Sequence, residues 1–411
     1  MKIWNIETER LNQIRRILSL FILVFEGFGI RFLDGVVSSP IIWWTALLTI
    51  LNIKQIVRVP VRSIFFFILF CTFYTFFVLL KGVQINAFFY AAWVSAFCVL
   101  SNYAHGEISF LEDLYKFTKI CVYYDLLHIA AYAFFSPFLF ETDFGMNPYS
   151  LFYVFYYNRQ ESLFGLLRIQ GFCWEPSCWN CLLNLNLATI LILKKPMKEV
   201  ILCVLAIISV FSTTGFITMS FAFILYFILY SKRVNMSAKL TIILLLVATY
   251  PLVEENIIEK IETGSGATRY GDFFVAEQVI KESPLLGGDL DNITSNQQAM
   301  MAKMNNWGYY ASQLENYDAV GMTNAFAALF VEWGFVITLC LFFLMFVSPL
   351  FTQRKDAFLI ACTILVVLMG TPIARTGFFY MFSLSSILFL QTNKKVQMKR
   401  QNILLWQNKS Q

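Results

Sequence analysis

Residues 168–177, RIQGFCWEPS, place an arginine, a glycine and a Glu-Pro pair together in a chain that is otherwise mostly apolar. The planar fork of Arg168 can grip two oxygens of a phosphate at once. A charge this close to a predicted span is costly unless a cavity, water or a partner receives it. Arg168 could therefore bind an anion such as a phosphate. It could equally form an ion pair with Glu175 that only fixes a loop, and the residues alone leave both interpretations open.

The composition shows what kind of scaffold must position these residues. The chain has 411 residues, of which 58% are apolar and 14% are charged, and its mean hydropathy is +0.64. Soluble domains are about 25% charged. Apolar runs that approach ~20 residues, such as SIFFFILFCTFYTFFVLL at 63–80, match the thickness of the hydrocarbon core of a bilayer. The sequence therefore predicts an all-α polytopic membrane protein.

About twelve transmembrane helices are expected, and counts of ten and eleven stay open because two of the apolar segments are short. The predicted spans are 17–34, 40–53, 63–80, 87–103, 117–138, 178–193, 199–213, 215–230, 238–253, 323–350, 357–372 and 376–391. We expect residues 1–411 to form a single integral membrane domain.

The distribution of cations predicts the orientation of these spans. Of the 31 lysines and arginines, 22 fall in or beside the two terminal segments and the second, fourth and other even-numbered connections, as expected for the cytoplasmic side. Both termini are then cytoplasmic, and the two long loops, 141–177 and 254–322, lie on the outer side. We expect an interfacial helix within 141–177, in RQESLFGLLRIQGF, and a large periplasmic loop at 254–322.

Arg168, Gly171, Glu175 and Pro176, just ahead of a predicted span, resemble the Arg-x-x-Gly...Glu-Pro signature of Wzy-type O-antigen and capsule polymerases. Other stretches agree with that family in order. TGSGATRY...SPLLGG, within 263–288, resembles the outer-loop arginine and Pro-x-x-Gly element of the O-antigen polymerase and ligase superfamily. TNAFAALFVEWGF, at 323–335, resembles the Asn...Glu-x-Gly start of the following span. Each motif is short, and the resemblance rests on their order and on the matching topology.

The resemblance implies a GT-C-like glycosyltransferase in the bacterial inner membrane. Its substrates would be undecaprenyl-diphosphate-linked oligosaccharides. The growing glycan would leave its lipid diphosphate and join the non-reducing end of another lipid-linked repeat unit. A chain-length regulator is the protein partner that the resemblance implies, besides membrane lipid. The sequence shows no cluster of metal ligands, so we expect no metal and no cofactor, and no nucleic acid is expected as a partner.

The resemblance also assigns roles to residues. A diphosphate leaving group needs preorganised cations, and we assign this role to Arg168 and Arg269, with Arg375 as a weaker helper. Glu175 is the first candidate for the base that deprotonates the acceptor hydroxyl, and Asp272 is the second. The predicted substrate-binding set also contains Gly171 and Glu332. Glu332 could serve as a base, although a hydrogen bond between helices is the simpler interpretation.

Two other functions were weighed against polymerisation. Polymerase-like ligases usually have a histidine immediately before the Asn that starts the tenth span, and this chain has Thr323 there, which disfavours a ligase. A lipid-linked oligosaccharide flippase would also have about twelve spans. Flippases place charged and polar residues in the middle of spans, whereas this chain concentrates its unusual residues in two outer loops. Asp125 and His128 share one face of a span and favour hydrogen bonds between helices over a proton relay.

Overall fold

The computed structural model describes most of the apolar segments and part of the outer loops. The described residues are 2–29, 40–83, 85–105, 109–142, 148–161, 167–231, 272–273, 276–277, 279–288, 324–371, 373 and 375–389. The predicted span 238–253 and most of the loop 254–322, including Arg269, lie outside them.

The described part of the chain is mostly helical. Its helices are α1 (Lys2–Phe28), α2 (Pro40–Ile56), α3 (Val61–Lys81), α4 (Ala87–Leu100), α5 (Phe110–Phe135), α6 (Pro176–Ile192), α7 (Met197–Ser209), α8 (Thr213–Tyr230), α9 (Ala325–Phe346), α10 (Arg354–Leu368) and α11 (Gly377–Leu388). Short 3₁₀ turns follow α4 and α5, at Ser101–Tyr103 and Ser136–Phe138.

Three of these helices are long and apolar enough to cross a membrane: α3, α8 and α9. Shorter apolar helices occur at Ala87–Tyr103 and Gly377–Leu388. Every predicted span that falls within the described residues coincides with a helix, although several helices are shorter than a full span. The structure is thus that of a helical membrane protein, and the number of twelve crossings stays a prediction.

Local sequence explains where the helices around the outer loops begin. Pro176 occupies the first turn of α6, where its missing N–H costs nothing. Three other helices begin at side-chain caps: Ser212 accepts from the N–H of Gly215, Asn324 from that of Ala327, and Thr376 from that of Phe379. These caps fix the N-termini of α8, α9 and α11.

The loop after α5 forms a four-stranded antiparallel sheet in the order β1 (Phe140–Glu141), β2 (Tyr149–Leu151), β3 (Phe155–Glu161) and β4 (Leu167–Ile169). The helix predicted over 159–172 is therefore wrong at residues 159–161 and 167–169, and the fold is not all-α. Strand β4 has only three residues, which is too few for the sequence to show a period of two, and its pairing with β3 overrides the local preference.

The sheet packs on the second half of α5 through His128. The imidazole Nε2 accepts the N–H of Tyr156 at 3.2 Å, and the carbonyl of His128 accepts the hydroxyl of Tyr157 at 2.8 Å. The other nitrogen, Nδ1, lies 2.8 Å from the carbonyl oxygen of Tyr124. This pattern requires one protonated and one unprotonated nitrogen, so the imidazole is neutral and holds the sheet in place.

The helices pack as one bundle in which α4 lies between α2 and α11, and α6 contacts α5, α7, α8 and α10. An aromatic cluster fills the space between α3, α4, α9 and α11, with Trp93, Trp333 and Tyr380 fully buried. The indole N–H of Trp333 donates to the Tyr380 hydroxyl at 2.9 Å. This contact ties α9 to α11 near their N-termini.

Candidate functional site

Arg375 and Glu332 form an ion pair between the start of α11 and the first half of α9. The guanidinium Nε lies 3.1 Å and Nη2 lies 2.9 Å from the same oxygen, Oε2 of Glu332. The Nζ of Lys81, the last residue of α3, donates to the carbonyl oxygen of Glu332 at 2.6 Å. The ring of Phe89 lies under the guanidinium, with its centroid 5.5 Å from Cζ of Arg375. Arg375 thus binds the carboxylate of Glu332, and Lys81 binds the backbone carbonyl of the same residue.

The helix α9 is interrupted directly after Glu332. Gly334 has φ 69° and ψ 174°, which are not helical values. The break frees backbone groups that the segment Pro284–Gly288 binds: the N–H of Gly288 donates to the carbonyl of Val331 at 2.7 Å, and the N–H of Phe335 donates to the carbonyl of Pro284 at 2.9 Å. The SPLLGG segment of the outer loop is therefore docked into the EWGF break of α9.

Glycine is required on both sides of this docking. A Cβ on Gly287 would lie 2.2 Å from the carbonyl oxygen of Val331, and a Cβ on Gly334 would lie 2.4 Å from that of Leu285. Both glycines also have φ near +70°, a region that disfavours larger residues. The close approach of two backbones explains why these two motifs contain glycine.

Asp272 lies at the N-terminus of α9. Its Oδ2 accepts the N–H of Asn324 at 2.8 Å, and the residue is buried. A carboxylate at this end of a helix is favoured by the helix dipole. One oxygen of Asp272 is thus engaged in holding the outer loop against α9, which is a positioning contact. Its predicted role as the second candidate base stays a prediction.

Arg168, Gly171 and Glu175 lie along one stretch that runs from β4 to the start of α6. Arg168 is paired with Asn158 in the sheet, and Glu175 is the residue before the first turn of α6. The Glu175 carboxylate accepts the hydroxyl of Ser177. Gly171 has φ +60°, and a Cβ there would lie 2.3 Å from the indole ring of Trp179. The close approach of Trp179 therefore explains the glycine of the motif. The side chains of Arg168 and Glu175 are partly accessible.

The stretch from β4 to the start of α6 packs on Trp179, which in turn binds Asp125 of α5. The indole N–H of Trp179 donates to Oδ1 of Asp125 at 2.7 Å, and the hydroxyl of Ser209 donates to Oδ2 of Asp125 at 2.7 Å. Asp125 of α5 thus accepts one hydrogen bond from α6 and one from α7, and it links the three helices. This arrangement agrees with the prediction of hydrogen bonds between helices.

The end of α1 connects the two groups of candidate residues. Gly27 lies against Thr376, since a Cβ on Gly27 would come within 2.6 Å of Cβ of Thr376. Gly29 forms an antiparallel bridge with Cys173. Arg375 precedes Thr376, and Cys173 lies between Gly171 and Glu175. A stretch of three residues therefore spans from the Arg375–Glu332 pair to the Arg168–Glu175 motif.

The start of α8 contacts both the start of α6 and the segment that follows α10. A Cβ on Gly215 of α8 would lie 2.0 Å from Nδ2 of Asn180 in α6, and a Cβ on Gly370 would lie 2.3 Å from Oγ1 of Thr214. Gly370 follows α10 and leads back to Arg375. The N-termini of α6, α8 and α11 thus lie in one ring of contacts, which brings three positive dipole ends to the same side of the bundle.

Cys173 lies within this ring. The residue is buried and has a free thiol, as has Cys178. Burial raises the pKa of the Cys173 thiol well above its usual range. The thiol is therefore neutral and buried, and the backbone of Cys173 pairs with Gly29 at the end of α1. Cys173 and Cys178 are not joined by a disulfide.

Sequence reasoning missed Lys81. The signal was present in the sequence, because Lys81 directly follows the apolar run of the predicted span 63–80, at the end predicted to be outer, where few lysines are expected. Arg269 lies outside the described residues. Among the described residues there is no group of three or more His, Cys, Asp or Glu side chains that could hold a metal ion.

No protein-family model, curated protein or solved structure matches this chain.

Proposed function

We propose that this chain is a polysaccharide polymerase that transfers a growing glycan from undecaprenyl diphosphate to the non-reducing end of another lipid-linked repeat unit. It would be a GT-C-like glycosyltransferase of about twelve spans in the bacterial inner membrane. Both termini would be cytoplasmic, and the site would open to the outer face. Assembly of O-antigen or capsule is the process in which such a reaction takes part.

The observation that carries the proposal is the docking of Pro284–Gly288 into the break of α9 beside the Arg375–Glu332 pair. These elements are distant in sequence, and the SPLLGG and EWGF segments belong to two separate short motifs of the resemblance. Their contact supports the view that the motifs belong to one site. The short connection through Gly27–Gly29 to the stretch of Arg168 and Glu175 extends that support.

The charges at this site suit a diphosphate leaving group. Arg375 binds the carboxylate of Glu332, and Lys81 binds the backbone carbonyl of that residue. Arg168 is partly accessible, and three helix N-termini lie on the same side. Preorganised cations and backbone N–H groups stabilise charge that develops as the diphosphate departs. Glu175 is the proposed base, because it is a partly accessible carboxylate ahead of the N-terminus of α6.

The proposed reaction needs the acceptor hydroxyl to attack the anomeric carbon while the bond to the diphosphate oxygen breaks. The proton passes from the hydroxyl to Glu175, and the bond electrons go to the diphosphate, which the cations hold. Holding two lipid-anchored substrates in this orientation supplies much of the acceleration.

A cellular experiment tests this function against the flippase alternative. The variants Arg375→Ala and Arg168→Ala, made at wild-type protein level, are expected to abolish polymer while single lipid-linked units still reach the outer face. Units retained on the inner face would contradict the proposal and favour a flippase. Transfer of single units to the lipid A core by the wild-type chain, without polymer, would favour a ligase.

A further inference from the structure

The turn between β2 and β3 contains residue types that its backbone conformation disfavours. Phe152 and Tyr153 have φ of 57° and 55°, and the N–H of Val154 donates to the carbonyl of Leu151 at 3.1 Å. A turn with positive φ at both central residues strongly prefers glycine, asparagine or aspartate. Two bulky aromatic residues are disfavoured in this shape, so a role for the aromatic rings themselves is indicated.

These rings belong to an exposed apolar surface, which we call the aromatic tip. It consists of exposed, uncharged residues: Phe134, Phe135, Phe138, Phe152, Tyr153 and Val154. The rings of Phe135 and Phe152 are 5.9 Å apart, and those of Phe140 and Tyr153 are 4.7 Å apart. The aromatic tip is therefore an ordered surface that side chains from α5 and β1 hold in place.

The aromatic tip continues an exposed apolar stripe of α5. Ile120, Tyr123, Leu127 and Phe134 are exposed and lie on one side of that helix. The Tyr124 hydroxyl donates to the carbonyl of Val154, and the Tyr124 ring stacks on Phe155. The turn therefore lies beside the second half of α5 and does not project beyond its end.

We propose that the aromatic tip is inserted into the membrane and contacts the boundary between headgroups and acyl chains, in the leaflet at the C-terminal end of α5. The partner is bilayer lipid, because the aromatic tip is continuous with the exposed apolar side of a helix in a membrane protein. Aromatic rings are enriched at this depth, where the hydroxyl of Tyr153 can reach water while its ring contacts lipid. This proposal does not depend on the polymerase function.

Photocrosslinking of the full-length protein in phosphatidylcholine vesicles tests it. The photoreactive p-benzoylphenylalanine replaces Phe152 in one sample and Tyr153 in another, and mass spectrometry identifies adducts on peptides of residues 149–157. Phe65 in the exposed side of α3 is the positive control, and Phe155, which packs on His128 in the same hairpin, is the negative control.

The expected result is a phospholipid adduct at positions 152 and 153 at a yield comparable to that at 65, and little at 155. Adducts to a second copy of the chain, or no lipid adduct at 152 and 153 when 65 gives one, would overturn the proposal.

A second variant tests insertion without the large photoreactive group, which could disturb the turn. The double substitution Phe152→Asn and Tyr153→Gly fits the positive φ values better than the native pair. We expect the variant to fold in detergent, and its hairpin amides to lose the extra protection from hydrogen exchange that wild type shows in vesicles relative to detergent. Wild-type protection that is equal in vesicles and detergent would contradict insertion.

Discussion

Arg375 directs two hydrogen bonds to one oxygen of Glu332, at 3.1 Å and 2.9 Å, from the start of α11 to the middle of the first half of α9. The other atoms of the guanidinium remain in a half-exposed position, since the Arg375 side chain is 38% accessible and that of Glu332 is 15% accessible. Glu332 therefore orients a cation toward the accessible side, which is a positioning role. In the proposed site, this cation would face the substrate.

The positioning role of Glu332 can be separated from a role as base. Glu332→Gln keeps an oxygen that accepts from Arg375, so polymer formation should stay within about 10-fold of wild type. Glu332→Leu removes the acceptor and should lower the rate about 10²–10³-fold, as should Arg375→Ala. The rates of polymer formation in membranes check this. A Gln variant as inactive as the Leu variant would show that Glu332 acts as a base.

The docking of Pro284–Gly288 on α9 should depend on Gly334. Gly334→Ala combines unfavourable backbone angles, φ 69° and ψ 174°, about 1–3 kcal/mol, with a clash against the Leu285 carbonyl, about 1–3 kcal/mol more. Gly82→Ala is the control for positive φ without a clash, because Gly82 has φ 69° and ψ 20° and no atom lies within 4 Å of the added Cβ. Thermal unfolding in detergent should rank wild type above Gly82→Ala and both well above Gly334→Ala. Equal losses for the two variants would argue against the docking contact.

The Trp179–Asp125 hydrogen bond should stabilise the start of α6. Asp125→Ala leaves the buried indole N–H without its acceptor, which costs about 1–3 kcal/mol. Trp179→Phe removes the donor, and the double variant should be less destabilised than the sum of the two single variants. A double-mutant cycle on thermal unfolding measures this coupling. Strict additivity would mean that the two side chains do not interact.

Glu175 should be required for the reaction as its base. Glu175→Gln preserves the size of the side chain, and polymer formation should fall about 10²–10⁴-fold. The control is Ser177→Ala, which removes the hydroxyl that bonds to the carboxylate and should retain most of the activity. Both variants have to be compared at equal protein level by polymer yield. A Gln variant with wild-type yield would exclude Glu175 as the base.

The helices were predictable because they depend on local apolar length. The predicted spans 63–80 and 323–350 correspond to α3 and α9, where the apolar run itself sets the helix. The sheet was not predicted, because its strands have only two to seven residues and their register depends on contacts with His128 of α5. Such tertiary contacts override weak local preferences.

Parts of the candidate site were predictable as motifs, but their contacts were not. Glu332, Gly334 and the SPLLGG segment were singled out by resemblance, yet nothing in their spacing indicates that Gly287 lies against Val331. Arg375 was expected to be a minor helper, whereas it forms an ion pair with another candidate residue. Lys81 was missed because it is sequentially distant from every motif and joins the site only through the packing of α3.

The most direct measurement is reconstitution of the purified protein in vesicles with a lipid-diphosphate-linked single repeat unit, followed by gel separation of the glycans. We expect wild type to produce a ladder of lengthening lipid-linked products, and Arg375→Ala to produce it about 10²–10³-fold more slowly although the variant folds and inserts normally. A wild-type protein that leaves the repeat unit unchanged, or a variant that makes the same ladder as wild type, would contradict this account.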